Sequence, residues 1–183
     1  LSIMKNTFNI ILLSLFTMFV TVSCHDKASL QRYFVDNQEA KNFLTQDIPI
    51  SVLKIDESNF TKEQKEAYNS VSRLNFLGYK ANETNAETLN VEIAKVKSIL
   101  RDDRYIDLME FSDKGNKIIV KYIGNDEEAD EVIVFGSSKE YGFGIARVLG
   151  NDMSPDKMAT LVSVLQGTNV DEGQLQDIMS FFK

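Results

Sequence analysis

The chain has one cysteine, one histidine, no tryptophan and two prolines in 183 residues. A lone cysteine cannot close an intramolecular disulfide, so oxidation does not hold this fold together. There is no histidine cluster for a metal, and neither G-x-S-x-G nor G-x-x-x-x-G-K occurs. The common nucleophile-elbow and phosphate-loop chemistries are therefore missing, and no cofactor is expected. Positive charge is scarce as well: 20 Lys and Arg stand against 27 Asp and Glu, a formal net charge of −7. The bases that occur are mixed with acids, as in Lys95-Val96-Lys97 ahead of Arg101-Asp102-Asp103-Arg104. Without a basic stripe to neutralise phosphates, a nucleic-acid partner is not expected.

A long hydrophobic run is also lacking. The most apolar stretch, residues 8–20, follows the single charge Lys5 and is diluted by Ser14 and Thr17. It falls short of the roughly 20 residues a spanning helix needs, and its layout is that of a secretory signal over residues 1–23. Directly after it, Val20-Thr21-Val22-Ser23-Cys24 resembles a bacterial lipobox. A small residue precedes the cysteine, although Thr21 stands where leucine is usual. Two or more acyl chains, each methylene contributing about 0.8 kcal/mol, hold a protein stably on a bilayer. The expected partner is thus a membrane, reached through an acylated, palmitate-bearing Cys24, and the expected location is the cell envelope at the outer membrane. His25 follows Cys24 directly, and neighbouring residues in extended chain point to opposite sides, so no catalytic dyad is expected.

Beyond Cys24, residues 24–47 read as the lipidated cysteine and a polar tether, with residues 48–183 as one α+β domain. A first strand is expected over 48–55, with Pro49 at its beginning. Thr61-Lys62-Glu63-Gln64 is a capping box opening a helix to about residue 73. A second strand covers 75–80. Thr84-Asn85-Ala86-Glu87 is another box pattern, ahead of Leu89, Ile93, Val96 and Leu100 on one helical face. Four strands follow, over 106–111, 117–123, 131–135 and 141–149, with links short enough for an antiparallel meander. Ser154-Pro155-Asp156 starts a further helix, stopped by Gly167. A last one is expected from Asp171 to Phe182. The expected class is α+β, with a mixed, mainly antiparallel sheet of four meander strands plus two N-terminal strands. Its helices are expected to pack largely on one face, giving two layers.

Three features are candidates for function. The run Asp126-Glu127-Glu128-Ala129-Asp130-Glu131 has oxygen ligands for a hard cation, but lacks the alternation and central glycine of an EF-hand loop. It reads as a solvated hairpin tip, and no metal site is expected. Asp102, Asp103 and Asp107 could offer a carboxylate pair, yet they lie around a helix end, and no catalytic residue is assigned. Tyr141, Gly142, Phe143 and Gly144 form the candidate binding surface. Glycines at i and i+2 on one strand face let another group approach the backbone, be it a helix of this chain, an extended peptide or an apolar ligand.

The fragments Tyr105-Ile106-Asp107-Leu108-Met109, Lys117-Ile118-Ile119-Val120-Lys121-Tyr122, Glu131-Val132-Ile133-Val134-Phe135 and Arg147-Val148-Leu149-Gly150-Asn151-Asp152-Met153-Ser154 appear in that order. Together with the lipobox they resemble a family of short Bacteroidota-type lipoproteins carrying a domain of unknown function. The resemblance implies an acylated, exported protein and transfers no functional residue other than Cys24. The expected function is a lipid-anchored, non-enzymatic module binding an envelope protein or a small apolar ligand. The alternative is a carboxylate-based envelope hydrolase.

Overall fold

The computed structural model describes residues 28–52, 55–113, 115–167 and 180–182. Residues 1–23, Cys24, His25 and most of the helix expected from Asp171 lie outside the described residues. In chain order the elements are α1 (Leu30–Asn37), β1 (Phe43–Pro49), a 3-10 turn (Ile50–Val52), α2 (Lys62–Ser70), β2 (Val71–Lys80) and α3 (Ala86–Ile99). They continue with β3 (Ile106–Asp113), β4 (Asn116–Gly124), β5 (Ala129–Ser138), β6 (Gly142–Gly150) and α4 (Pro155–Gly167). The six strands form one sheet in the order β1-β2-β6-β5-β4-β3, and every pairing is antiparallel. The class is α+β, and β3 to β6 are the expected meander. No helix among the described residues is long and apolar enough to cross a membrane.

Layering departs from expectation, because helices stand on both faces of the sheet. On the first face α1 and α3 bring Leu30, Phe34, Leu89 and Val96 against Leu77, Ile133, Phe135, Phe143 and Ile145. On the second, α2 and α4 bring Ala67, Tyr68, Met158 and Leu161 against Val71, Val120, Tyr122 and Val132. Successive strand residues point to opposite faces, so the unbroken runs Ile119-Val120 and Val132-Ile133 require cover on both sides.

The segment expected to be a tether is part of the fold. Leu30, Tyr33 and Phe34, spaced i, i+3 and i+4, are buried on the first face. Ser29 caps α1, its Oγ accepting from the Arg32 N–H at 3.2 Å. The Leu30 N–H donates to Tyr105 Oη at 3.1 Å. After α1 the chain forms β1, whose register runs from Phe43 opposite Tyr79 to Pro49 opposite Arg73. Pro49 thus ends the first strand instead of beginning it. Proline has no N–H for the ladder, and the end of an edge strand is where that loss costs least.

Of the two capping boxes, one forms. Thr61 Oγ1 accepts from the Gln64 N–H at 3.3 Å and Gln64 Oε1 accepts from the Thr61 N–H at 2.9 Å. Thr61→Ala is expected to lower stability by about 1 kcal/mol, read as a shifted urea midpoint at constant slope; an unmoved midpoint would deny the cap a role. At α3 the cap is Asn85, whose side chain makes no cap bond. It instead accepts from the Asn82 N–H at 2.8 Å and donates to the Lys80 carbonyl at 2.9 Å, closing the β2–α3 link.

Candidate functional site

The second face carries a lane without side chains. Gly78 of β2 pairs with Gly144 of β6, and Gly144 pairs with Gly136 of β5, so three glycines lie side by side across three strands. The row continues to Leu44 on β1, and to Ile118 on β4 and Phe111 on β3. Glycine inside a strand costs about 0.5–1 kcal/mol relative to alanine, and it marks places where something must come close to the backbone. Two of the three are covered by the chain's own rings. A β-carbon at Gly78 would lie 3.0 Å from Phe182 and from Phe76, and one at Gly144 would lie 3.0 Å from Phe76. Phe76 and Phe182 meet edge to face, with centroids 6.3 Å apart. Gly136 is different, because nothing among the described residues lies within 4 Å of where its β-carbon would be. Around it is an open trough of about 260 Å³, with Ile118, Ser137, Tyr141, Gly144 and Phe182 in its lining. Ile118 and Tyr141 are 44% and 52% exposed, which leaves the apolar side of the trough uncovered, and Phe111, next along the row on β3, is 56% exposed.

The four residues singled out in the sequence divide between surface and core. Tyr141 is exposed beside the trough, and its carbonyl accepts from the Ala81 N–H at 3.1 Å. Gly144 is the middle of the lane. Gly142 has φ of +110°, and a β-carbon there would fall 1.9 Å from the Tyr79 carbonyl oxygen, so its role is the close passage of β2 and β6. Phe143 is in the trough lining, but its ring belongs to the core. Only 1% exposed, its ring points to the first face and stacks on Tyr79 at 5.6 Å, with Phe135 at 6.0 Å and Phe43 at 6.3 Å. Alternation along β6 places Phe143 and Gly144 on opposite faces, so they cannot line one groove with their side-chain positions. Gly78, Gly136, Ile118 and Phe111 were missing from the sequence-based set; only strand pairing brings them into the row.

The acidic run is split between two environments. Asn125 Oδ1 accepts from the Glu127 and Glu128 N–H groups, both at 2.9 Å, forming the turn that carries the exposed acids. Glu131 is buried on β5 and binds Arg147 in a fork, with Nε to Oε1 at 2.6 Å and Nη2 to Oε2 at 2.8 Å. That hydrogen-bonded carboxylate raises the Arg147 pKa further above the usual guanidinium range. The same guanidinium lies 5.3 Å from the centre of the Phe34 ring, so this pair supports α1. Among the described residues no three His, Cys, Asp or Glu side chains gather where a metal would need them.

Asp102 does share a cleft with a second carboxylate, Asp36, together with Arg32 and Arg104. Each acid lies beside an arginine, Asp36 at 3.9 Å from Arg32 and Asp102 at 2.9 Å from Arg104. The cleft is open and polar, unlike the apolar pocket that keeps a glycosidase acid protonated. Asp107 is held by Lys121 at 2.8 Å. A third polar cluster lies between α1 and α3, where Tyr33 Oη donates to Glu92 Oε2 and Lys95 Nζ to Glu92 Oε1, both at 2.6 Å. Burial, with the Glu92 carboxylate added, pushes the Tyr33 hydroxyl pKa far above its ordinary value, so it stays a donor. These contacts join two helices across the first face.

A family model described as a domain of unknown function, DUF4252, matches residues 33–161. The chain belongs to the DUF4252 family. Comparison with curated proteins and with solved structures gives no match. The DUF4252 match begins inside α1, so it includes β1 and residues 33–47 of the segment expected to be a tether, and it ends within α4. Gly78, Gly136 and Gly144 all lie inside it.

Proposed function

We propose that this DUF4252 chain is a lipid-anchored cell-envelope protein, acylated at Cys24 on the outer membrane, that binds a partner through the glycine lane. The partner is an envelope protein or a small apolar ligand, and the role is binding without catalysis. One observation carries the binding part: among the described residues nothing covers Gly136, in a lane whose other glycines are filled by Phe76 and Phe182, beside exposed Ile118 and Tyr141. Exposed apolar groups gathered around a concave floor favour an interaction site. The anchoring part is supported by the order Thr21-Val22-Ser23-Cys24 after an apolar leader. A carboxylate hydrolase is favoured less, since Asp36 and Asp102, the acids that share a cleft, are each engaged by an arginine.

Two experiments test the two parts. Mass spectrometry of the mature N-terminus should find an acylated Cys24, and Cys24→Ser should release the chain from the membrane fraction; a free thiol would remove the anchor. For binding, a photoreactive residue replacing Ile118 should give one recurring cross-link in intact envelopes. Gly136→Val places its first carbon in empty space and should leave the unfolding midpoint within about 0.5 kcal/mol of the parent. In that variant the cross-link should drop at least several-fold. An unchanged cross-link would mean that the lane does not bind.

A further inference from the structure

We propose that the bilayer-facing surface of this protein is the pole made by the start of α1, the end of α3 and residues 101–105, and that the glycine lane is held away from the membrane. The inference rests on the proposed acylation of Cys24. Six residue steps separate Cys24 from Leu30. At no more than about 3.6 Å per step, the lipid-bearing residue stays within about 22 Å of Leu30. Leu30 itself is fixed: it is 1% exposed and its N–H is bound by Tyr105 Oη at 3.1 Å. Tyr105 immediately precedes β3, which runs from this pole toward the β3–β4 turn.

The lane sits far from that point. Phe111, which marks the lane on β3, is five residues beyond Ile106, or about 17 Å along the strand. The lane also opens on the second face, whereas α1 covers the first. A straight line from Leu30 to the lane therefore passes through the sheet, so the surface that the anchor reaches directly is the pole around Leu30 and not the lane. Membrane contact falls instead to Ser29, Gln31, Arg32, Asp102 and Arg104, which line one surface cleft at the pole. These are polar groups suited to headgroups, with Val35 as the apolar residue of the cleft, so the pole rests on the bilayer without inserting into it. The acidic turn at Asp126, Glu127 and Glu128 belongs to the same end of the sheet, since Tyr122 pairs with Ile106. It would be repelled by anionic lipid, so the fitting surface is zwitterionic.

The test uses the full acylated chain in phosphatidylcholine vesicles. With Cys24 acylated, an introduced cysteine is the only free thiol, and one spin label can be placed at a time. Gln31→Cys and Asp103→Cys label the pole, while Asn116→Cys and Lys139→Cys label exposed positions at the other end. A nickel chelate carried on lipid headgroups should relax the first two labels several-fold faster than the last two. Equal rates, or faster relaxation at Asn116→Cys and Lys139→Cys, would overturn the orientation while the protein still floats with the vesicles. Failure to float would overturn the anchor, and the orientation with it.

Discussion

Phe143→Ala is expected to lower the unfolding free energy by about 3–5 kcal/mol, with little effect on capture by the glycine lane. The ring is 1% exposed and is enclosed by Tyr79, Phe43 and Phe135. Removing it leaves a cavity whose walls come from three strands and cannot collapse together. Chemical denaturation checks the size of the loss, and the Ile118 cross-link checks the lane in conditions where the variant remains folded. A variant of near-parental stability that lost the cross-link would return Phe143 to the binding surface. The large expected cost reflects where alternation along β6 sends the ring, into the core between the sheet and α1 and α3.

Arg147→Met alone is expected to cost about 3–5 kcal/mol, and the double change with Glu131→Leu to recover most of that loss. Both side chains are largely out of solvent, at 13% and 11% exposure, and satisfy one another through two charge-assisted bonds. Removing only the arginine strands a carboxylate under α1, where water cannot replace its partner. Removing both lets apolar groups fill the space. Arg147 also lies against the Phe34 ring, so the single variant should speed amide exchange in α1 more than in α2, which packs on the other face. A double-mutant cycle gives the coupling directly. If the single and double variants are equally destabilised, the pair contributes through packing and not through charge.

Much of the architecture is legible locally, and the misreadings have identifiable causes. The Thr61 box opens α2 because its side chains and backbone donors are three residues apart, and both reciprocal bonds form. The similar pattern at Thr84 fails because the Thr84 hydroxyl donates to Asn82 Oδ1 at 2.9 Å and the cap falls on Asn85, whose own side chain is taken by the β2–α3 link. In α1 the spacing of Leu30, Tyr33 and Phe34 was present but embedded in polar residues, and only the sheet beneath supplies its reason to fold. β1 is an edge strand with several exposed positions, so its hydrophobic signal is weak, and Pro49 marks its end equally well as a beginning. The apolar runs in β4 and β5 already implied two covered faces, a requirement that packing the helices largely on one face overlooked.

The candidate site was half legible. Gly142 and Gly144 are conspicuous within one strand, yet Gly78 and Gly136 are single glycines in separate strands, some sixty residues apart in the chain. They become neighbours of Gly144 only through the registers of β2 with β6 and of β6 with β5. Likewise Glu131 looked like the last acid of a solvated run until Arg147, sixteen residues on, was placed beside it.

By itself the sequence determined the helices and strands with strong local patterns, the lack of disulfide and histidine-cluster chemistry, and the expectation of an anchor at Cys24. These depend on residues a few positions apart, where capping, periodicity and charge act directly. The tertiary structure decided which face each strand residue meets, that α1 and β1 belong to the domain, and that three distant glycines form one lane with its last third open. Those outcomes depend on strand register and on which helix covers which face, set by the packing of the whole chain.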